Sequence, residues 1–357
     1  MAATIAERPV TIDDVARTAG VSRAAVSKVI RDAYGVSPEM REKVQAAIDS
    51  LGYRPRVSAR AMRGATYTLG FEIPDMFNQF FPKVISGATA ALADTQYQLI
   101  IAPAGPGHDE GPQAIEALAD RQVDGIAVIS SRVPAEWLER LGRRIPLVML
   151  GRHDDSVHYD TVVGDDVAGA RIAVEHLIGL GHRDIVHLTL SGTAARPGTP
   201  HALRVTGYVT AMADHGLADR SRIVRVDATR EDAYRGAFAL LSSPDRPTAV
   251  FAAHDTLALA VLHAVADLGL GVEDVSVVGY DDTEIAAHPM VSLTTVNQSG
   301  TRMGEIVVRL LLERIGGRTQ AVHEVITPRL MVRRSSAAPG GVPNPPKAGQ
   351  AAVAATA

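Results

Sequence analysis

The chain has 357 residues and no cysteine. That excludes disulfides, thiolate metal sites and a cysteine nucleophile. It has no uninterrupted apolar run of about 18 residues, the length a membrane-spanning helix needs, so no membrane partner is expected. The N-terminus lacks a basic stretch followed by an apolar core, and no signal peptide is expected. These absences lead to an expected cytoplasmic location. Catalytic signatures are missing as well: there is no Gly-x-Ser-x-Gly elbow and no Walker loop. GPGHDEG, residues 105–111, has glycines but no Lys-Ser/Thr ending, and reads as a surface loop. His176, His182 and His187 lack the i, i+4 pattern around a glutamate that a zinc-binding helix uses. The aspartate pairs offer general acids and bases in principle. No enzyme, cofactor or metal is expected.

What is present is an ordinary globular composition, 46% hydrophobic and 21% charged, at a length that suggests two or three domains. The net charge of −4 is unevenly spread. Residues 1–66 carry 11 Lys/Arg and 7 Asp/Glu, a net of +4, against 25 and 33 in the remainder, a net of −8. A small basic unit on an acidic body suits contact with a polyanion, although compositional drift gives the same figures.

In TIDDVARTAG, residues 11–20, Ile12, Val15, Ala16 and Ala19 fall at i, i+3, i+4 and i+7, one face of a helix. Thr11 caps its start, Asp13 and Asp14 favour the positive end of its dipole, and Gly20 ends it. Ser22 opens a second helix that buries Val26, Val29 and Ile30. Ser37 and Pro38 open a third, with Val44, Ala47, Ile48 and Leu51 inward. This is a helix-turn-helix with a supporting helix. The outward face of the second helix offers Ser22, Arg23, Ala24, Ser27 and Lys28. Arg and Lys suit guanine O6 and N7 in the major groove, and the two serines suit phosphate oxygens. A small helical bundle with a solvated polar face has the same periodicity.

From Thr68 onward short apolar runs alternate with amphipathic helices. LGFEI, QLIIAP, GIAVIS, PLVML, DIVHLTL, TAVFAA and VSVVGY read as buried, mostly parallel strands. PKVISGATAALADT and GARIAVEHLIGLG read as helices between them. The fold class is therefore α/β: doubly wound parallel sheets in two tandem lobes, with a ligand crevice at the strands' C-terminal ends. Residues 335–357, rich in Pro, Gly and Ala, read as a disordered tail. They carry no leucine heptads, so a tetramer-forming coiled coil is not expected.

VTIDDVARTAGVSRAAVSKVI and VSPEMREKVQAAIDSLGYRPRVSARAMRG resemble the head and hinge of the LacI/GalR family of bacterial transcription regulators. VDGIAVISS, IPLVMLGR, VEHLIGLGHRDIVHL, AVFAAHDTLAL, DVSVVGYDDTEIA and LTTVNQ resemble further family segments, in the family's order, over roughly residues 9–334. The resemblance implies a helix-turn-helix head over 1–54, with 1–8 disordered, a hinge helix over 55–66, and a periplasmic-binding-protein-like core over 67–334. Lobe one would take about 67–168 and 299–327, and lobe two about 169–298 and 328–334. It also implies a homodimer on a palindromic DNA operator at the nucleoid, and a repressor whose DNA binding is altered by a small molecule, with a sugar as the expected class.

The same resemblance assigns positions. Arg23, Ala24 and Lys28 fall where operator bases are read, and Thr11, Ser22 and Ser27 where phosphates are held. Lys28 stands where arginine is usual, which gives a point charge in place of a planar fork. In RPRVSARAMRG, Met62 stands where a leucine wedges into the minor groove. Ser58 replaces an apolar residue between paired hinges, and Arg56, Arg60 and Arg63 are candidate phosphate contacts. A plain basic linker is the alternative for this stretch. In the body, Phe80 and Phe81 match a stacking position, Arg204 an arginine that forks onto ligand, and Asp281 an aspartate that accepts from ligand hydroxyls. Core packing for the phenylalanines, surface exposure for Arg204 and helix capping for Asp281 are the competing roles. His254 departs from the asparagine usual there. Ser130, Arg152 and Gln298, at strand ends or lobe crossings, complete the candidate set. Asp165 and Asp166 are expected to be structural.

Overall fold

The computed structural model describes residues 10–30, 33–53, 65–76, 78–104, 110–129, 133–192 and 196–340. The chain separates into two compact units, residues 1–66 and 67–357.

The first unit has three helices, α1 (Ile12–Ala19), α2 (Arg23–Ile30) and α3 (Pro38–Leu51). Each begins where the sequence supplies a cap. The Thr11 hydroxyl accepts from the Asp14 N–H, while the Asp14 carboxylate accepts from the Thr11 N–H at 2.9 Å, a reciprocal box that satisfies two donors otherwise without partners. Ser22 accepts from the Ala25 N–H and Ser37 from the Met40 N–H. Gly20, at φ 67°, turns the chain out of α1 through the left-handed region. Val15, Ala16, Val26, Val29, Val44 and Ala47 form the buried core. Ile30, Ile48 and Leu51 pack against it partly exposed.

The second unit holds two six-stranded sheets. Lobe one contains β1 (Thr68–Ile73), β2 (Gln98–Pro103), β3 (Gly125–Val128), β4 (Leu147–Leu150), β5 (Asp160–Gly164) and β11 (His323–Ile326), in the order β11-β5-β4-β3-β1-β2. Lobe two contains β6 (Ile185–Leu190), β7 (Arg222–Val226), β8 (Ala249–Ala252), β9 (Ser276–Tyr280), β10 (Thr294–Asn297) and β12 (Arg329–Met331), in the order β12-β10-β9-β8-β6-β7. Every pairing is parallel except β10 with β12. Strands buried on both faces read as continuous apolar runs, as in β3, β4 and β8. QLIIAP is different. It forms edge strand β2, and Ile100 and Ile101 are both exposed.

Helices cover both sheets. In lobe one, α4 (Phe80–Ala91) and α12 (Gly300–Ile315) lie in close contact. Their approach depends on glycine. A Cβ on Gly87 would lie 1.9 Å from the Thr301 carbonyl oxygen, and one on Gly304 would lie 2.0 Å from that of Val84. In lobe two, α7 (Asp166–Gly179) packs on α8 (Pro200–Asp214), and α9 (Arg230–Leu241) on α10 (Asp255–Asp267). The chain passes between the sheets after β5, after β10 and after β11.

The C-terminal segment departs from expectation. Ser335–Gly340 are not a loose tail. Ser335 is buried, its hydroxyl donating to the Val277 carbonyl and accepting from the Thr294 N–H. The Ala337 carbonyl accepts from the His182 ring, and Ser336 pairs with His176. Small hydroxyl residues read as tail because they bury little apolar area, yet here they pair with polar groups on lobe two. Residues 341–357 lie outside the described residues. His187 is also structural. It stacks between Tyr208 and Phe251 and donates to the Phe251 carbonyl.

Candidate functional site

The C-terminal ends of the strands in both sheets converge on one cavity of about 240 Å³. The local sequence dictates what each end presents. After β1 the chain turns into α4, whose first residues are Phe80 and Phe81. Their rings meet edge to face at 5.6 Å, with Phe80 buried and Phe81 partly so. With Ile129, Leu150 and Met303 they make an apolar wall from lobe one.

Lobe two supplies polar groups. Arg204 is on the second turn of α8 and only 4% exposed. Its Nε donates to Asp166 Oδ1 at 2.8 Å and one terminal nitrogen donates to the Ala253 carbonyl at 2.6 Å. Its guanidinium carbon lies 3.7 Å from the Tyr280 ring centroid, a cation–π contact. Asp281 follows β9 in a backbone of positive φ, 110°, as does Asp282 at 48°. The loop is held from behind: Asp255 accepts from the Thr283 N–H and hydroxyl, and Arg333 pairs with Asp282 at 2.6 Å. Thr283, not Asp281, holds the N-cap position of the short helix α11 (Glu284–Ala287), though its hydroxyl serves Asp255, and the Asp281 side chain lines the cavity. There the Gln298 amide donates to it at 2.5 Å.

Burial dominates the protonation of this wall. The Asp281 carboxyl is pushed up to about 8, with Arg204 pulling the other way. His254, the N-cap of α10, accepts from the Leu257 N–H, and burial then Arg204 lower it to about 3. His201 meets His254 edge to face at 5.6 Å and is also held well below the ordinary histidine value by burial. Both rings are neutral at pH 7. Burial raises Asp166, and the charge of Arg204 opposes that rise.

Phe80, Phe81, Arg204, His254, Asp281 and Gln298 thus line one cavity. Arg152 does not. Gly151 takes the wall position, and Arg152 points away, paired with Asp154 at 2.7 Å and donating to the Val133 carbonyl. Ser130 lies outside the described residues. Asp166, expected to be structural, lines the cavity as the partner of Arg204, while Asp165 caps α7 by accepting from the Ala168 N–H. His201 was not singled out by the sequence. It follows the Thr199-Pro200 start of α8, a signal that places it at the crevice. One further contact spans the lobes: the Lys83 ammonium donates to the Asp282 carbonyl.

On the head, Ser22, Arg23, Ala24 and Lys28 are exposed along α2, and Ser27 is partly so. Arg23 lies 3.9 Å from Asp13, a loose ion pair between exposed groups. The Thr11 hydroxyl is occupied by Asp14 at 2.7 Å. Arg56, Ser58, Arg60, Met62 and Arg63 lie outside the described residues.

Among the described residues no helix is long and apolar enough to cross a membrane, and no cluster suits a metal ion. Residues 11–56 match the family of bacterial regulatory proteins of the lacI type, and residues 174–336 match a periplasmic binding protein-like domain. The transcriptional repressor PurR of Vibrio campbellii is 36% identical, over 85% of this chain and 92% of its own. Among solved structures, the regulator CelR in complex with cellobiose aligns with a TM-score of 0.66 at 31% identity, over 92% of this chain and all of its own. The lac repressor dimer bound to operator and the anti-inducer ONPF aligns at 0.78 and 26%, over 93% of this chain and all of its own. A helix-turn-helix unit and a two-sheet ligand-binding body in one chain, matched along nearly the whole length of these regulators, place this protein in the LacI family of bacterial transcription regulators.

Proposed function

We propose that this protein is a cytoplasmic, nucleoid-bound repressor, working as a homodimer on a palindromic operator, whose DNA affinity is altered by a sugar-class effector held between the two lobes. The observation that carries it is the cavity itself. An aromatic wall faces a wall of buried hydrogen-bonding groups, in a chain whose head exposes a basic helix. A flat apolar ring suits the C–H face of a sugar, and Arg204, Asp281 and Gln298 suit its hydroxyls. The complex of CelR with cellobiose supports the sugar class. The lac repressor, solved as a dimer on operator, supports the assembly, and two-fold symmetry in the protein implies two-fold symmetry in the site.

Arg23 and Lys28 read bases, Ala24 offers a methyl contact, and Ser22, Ser27 and Thr11 hold phosphates. Thr11 would have to do so while its hydroxyl serves Asp14. In the hinge, Arg56 and Arg60 hold the backbone and Met62 wedges into the minor groove. No chemical step is assigned. The effector draws the lobes together, and linkage requires that DNA alter effector affinity by the same factor.

Selection from a random duplex pool, repeated with sugars and nucleobases, tests this. The expected outcome is an enriched palindrome whose binding one sugar abolishes or strengthens. No enrichment at low salt would overturn the DNA-binding assignment, and enrichment indifferent to every sugar would overturn the effector class.

A further inference from the structure

A binding site for an anionic ligand needs a cation not already neutralised. Among the described residues that line the cavity, Arg204 is the one permanent cation. It is already engaged by Asp166 at 2.8 Å, with both side chains nearly sealed from solvent. The other Asp166 oxygen lies 4.0 Å from the His153 ring, which is 36% exposed at the side chain. Asp281 lies on the same wall, and the exposed Asp75 lies on the cavity's lining. His201 and His254 bring no charge, because His254 must accept from the Leu257 N–H and partial burial beside Arg204 holds both rings below the ordinary histidine value.

Among the described residues the electrostatic balance of the cavity is therefore neutral to negative. A phosphate or carboxylate entering it would lose its hydration and gain no unpaired positive partner among those residues. A neutral polyol loses far less, and finds donors in the Gln298 amide, the second terminal nitrogen of Arg204 and the histidine rings. Accepting groups are present in Asp281 and Asp166.

We infer that Asp166 sets the charge specificity of this site: by pairing with Arg204 it makes the cleft select a neutral, hydroxyl-rich effector and reject the phosphate ester or carboxylate of the same skeleton. This rests on the cavity being the effector site. It goes further in naming the residue that decides between neutral and anionic members of one class, and the feature responsible is an ion pair and not the shape of the pocket.

The test uses the full-length protein and neutral/anionic pairs: ribose with ribose 5-phosphate, glucose with glucose 6-phosphate and with glucuronate, adenosine with its monophosphate. Affinity is read by titration calorimetry. Inorganic phosphate is read separately, by thermal shift, on the wild type, on Asp166→Asn and on Asp166→Asn with Arg204→Met. Wherever one member of a pair binds the wild type, the neutral one is expected to bind at least about 100-fold more tightly. Asp166→Asn is expected to narrow that ratio at least about tenfold and to acquire a phosphate-dependent rise in melting temperature that the added Arg204→Met abolishes. An anionic member that binds the wild type better than its neutral twin would overturn the inference without any variant. So would an Asp166→Asn protein that is folded by circular dichroism yet gains no response to phosphate. Tight binding of adenosine and of no sugar would sink the sugar class while leaving the charge rule standing, which keeps the two failures apart.

Discussion

The two lobes share a strand order, differing at one edge where β11 runs parallel and β12 antiparallel, and they bring contrasting chemistry to their shared border. Lobe one meets the cavity with Phe80, Phe81, Ile129, Leu150 and Met303; lobe two meets it with His201, Arg204, His254 and Asp281. Lobe one can exclude water, and among the described residues its polar lining is confined to Asp75 and Asn78. Lobe two can orient a ligand, yet its groups are worth most only when water is excluded. In the proposed function neither half is a binding site alone, so affinity for the effector would become affinity of one lobe for the other. On that proposal, division of the site is what would turn occupancy into domain closure.

The comparison breaks most completely if one lobe is removed. Gly304→Val puts a side chain into the Val84 carbonyl, and the α4–α12 contact has no room for it. The expected result is loss of the cooperative melting transition of lobe one, seen by calorimetry, and with it all effector response.

Next is the polar wall. Arg204→Met should weaken effector binding by at least about 100-fold and also destabilise the body by about 3–5 kcal/mol, because Asp166 is left buried without its partner. Adding Asp166→Asn should return most of the lost stability in denaturant titrations but none of the binding. If the single variant melts like the wild type, the pair is not what holds this wall.

The apolar wall should cost less. Phe81→Ala is expected to weaken effector binding by about tenfold, in line with the loss of one partly buried aromatic contact. The ranking of sugars by titration should stay unchanged, because the buried hydrogen-bonding groups are on the other lobe. A reordered ranking would mean that lobe one also specifies.

The smallest effect is on pH. Burial raises the Asp281 carboxyl from 3.8 to about 8 in the folded protein. Between those values the folded state binds more protons at this group than the unfolded state does, so its contribution to stability falls as pH rises. Asp281→Asn should therefore flatten the decline in melting temperature between pH 5 and 8, by a few degrees. An unchanged slope would mean that the carboxyl is charged throughout.

Much of this molecule was legible because its signals are local. Caps at Thr11, Ser22 and Ser37 and an apolar stripe mark each head helix, and unbroken apolar runs mark the strands that become buried. Strands β5, β7, β10, β11 and β12 escaped notice because DTVVG, RIVRV, TTVN, HEVI and RLM are short and hold only one to three large apolar residues each. Their burial is decided by neighbours far along the chain. The same limit applies to the site. Arg204, His254 and Asp281 could be singled out by position, but the partner of Arg204 lies 38 residues away and no spacing rule connects them. Arg152 misled because strand β4 ends at Leu150 and the turn at Gly151, with φ 86°, sends the next side chain away from the cavity.

The interleaving of the sheets bears on how the protein is made. Lobe one is built from residues 68–164, then waits for α12 at 300–315 and β11 at 323–326. Lobe two is built from 185–297, then waits for β12 at 329–331 and the Ser335–Gly340 segment that seals it. During synthesis the head can fold on its own local contacts while most of the body is still unmade. A nascent chain that stalls before residue 318 has a finished head and an open edge on each sheet. The DNA-reading unit therefore matures first, and the part that answers to the effector closes only when the end of the chain is free to add its final strands.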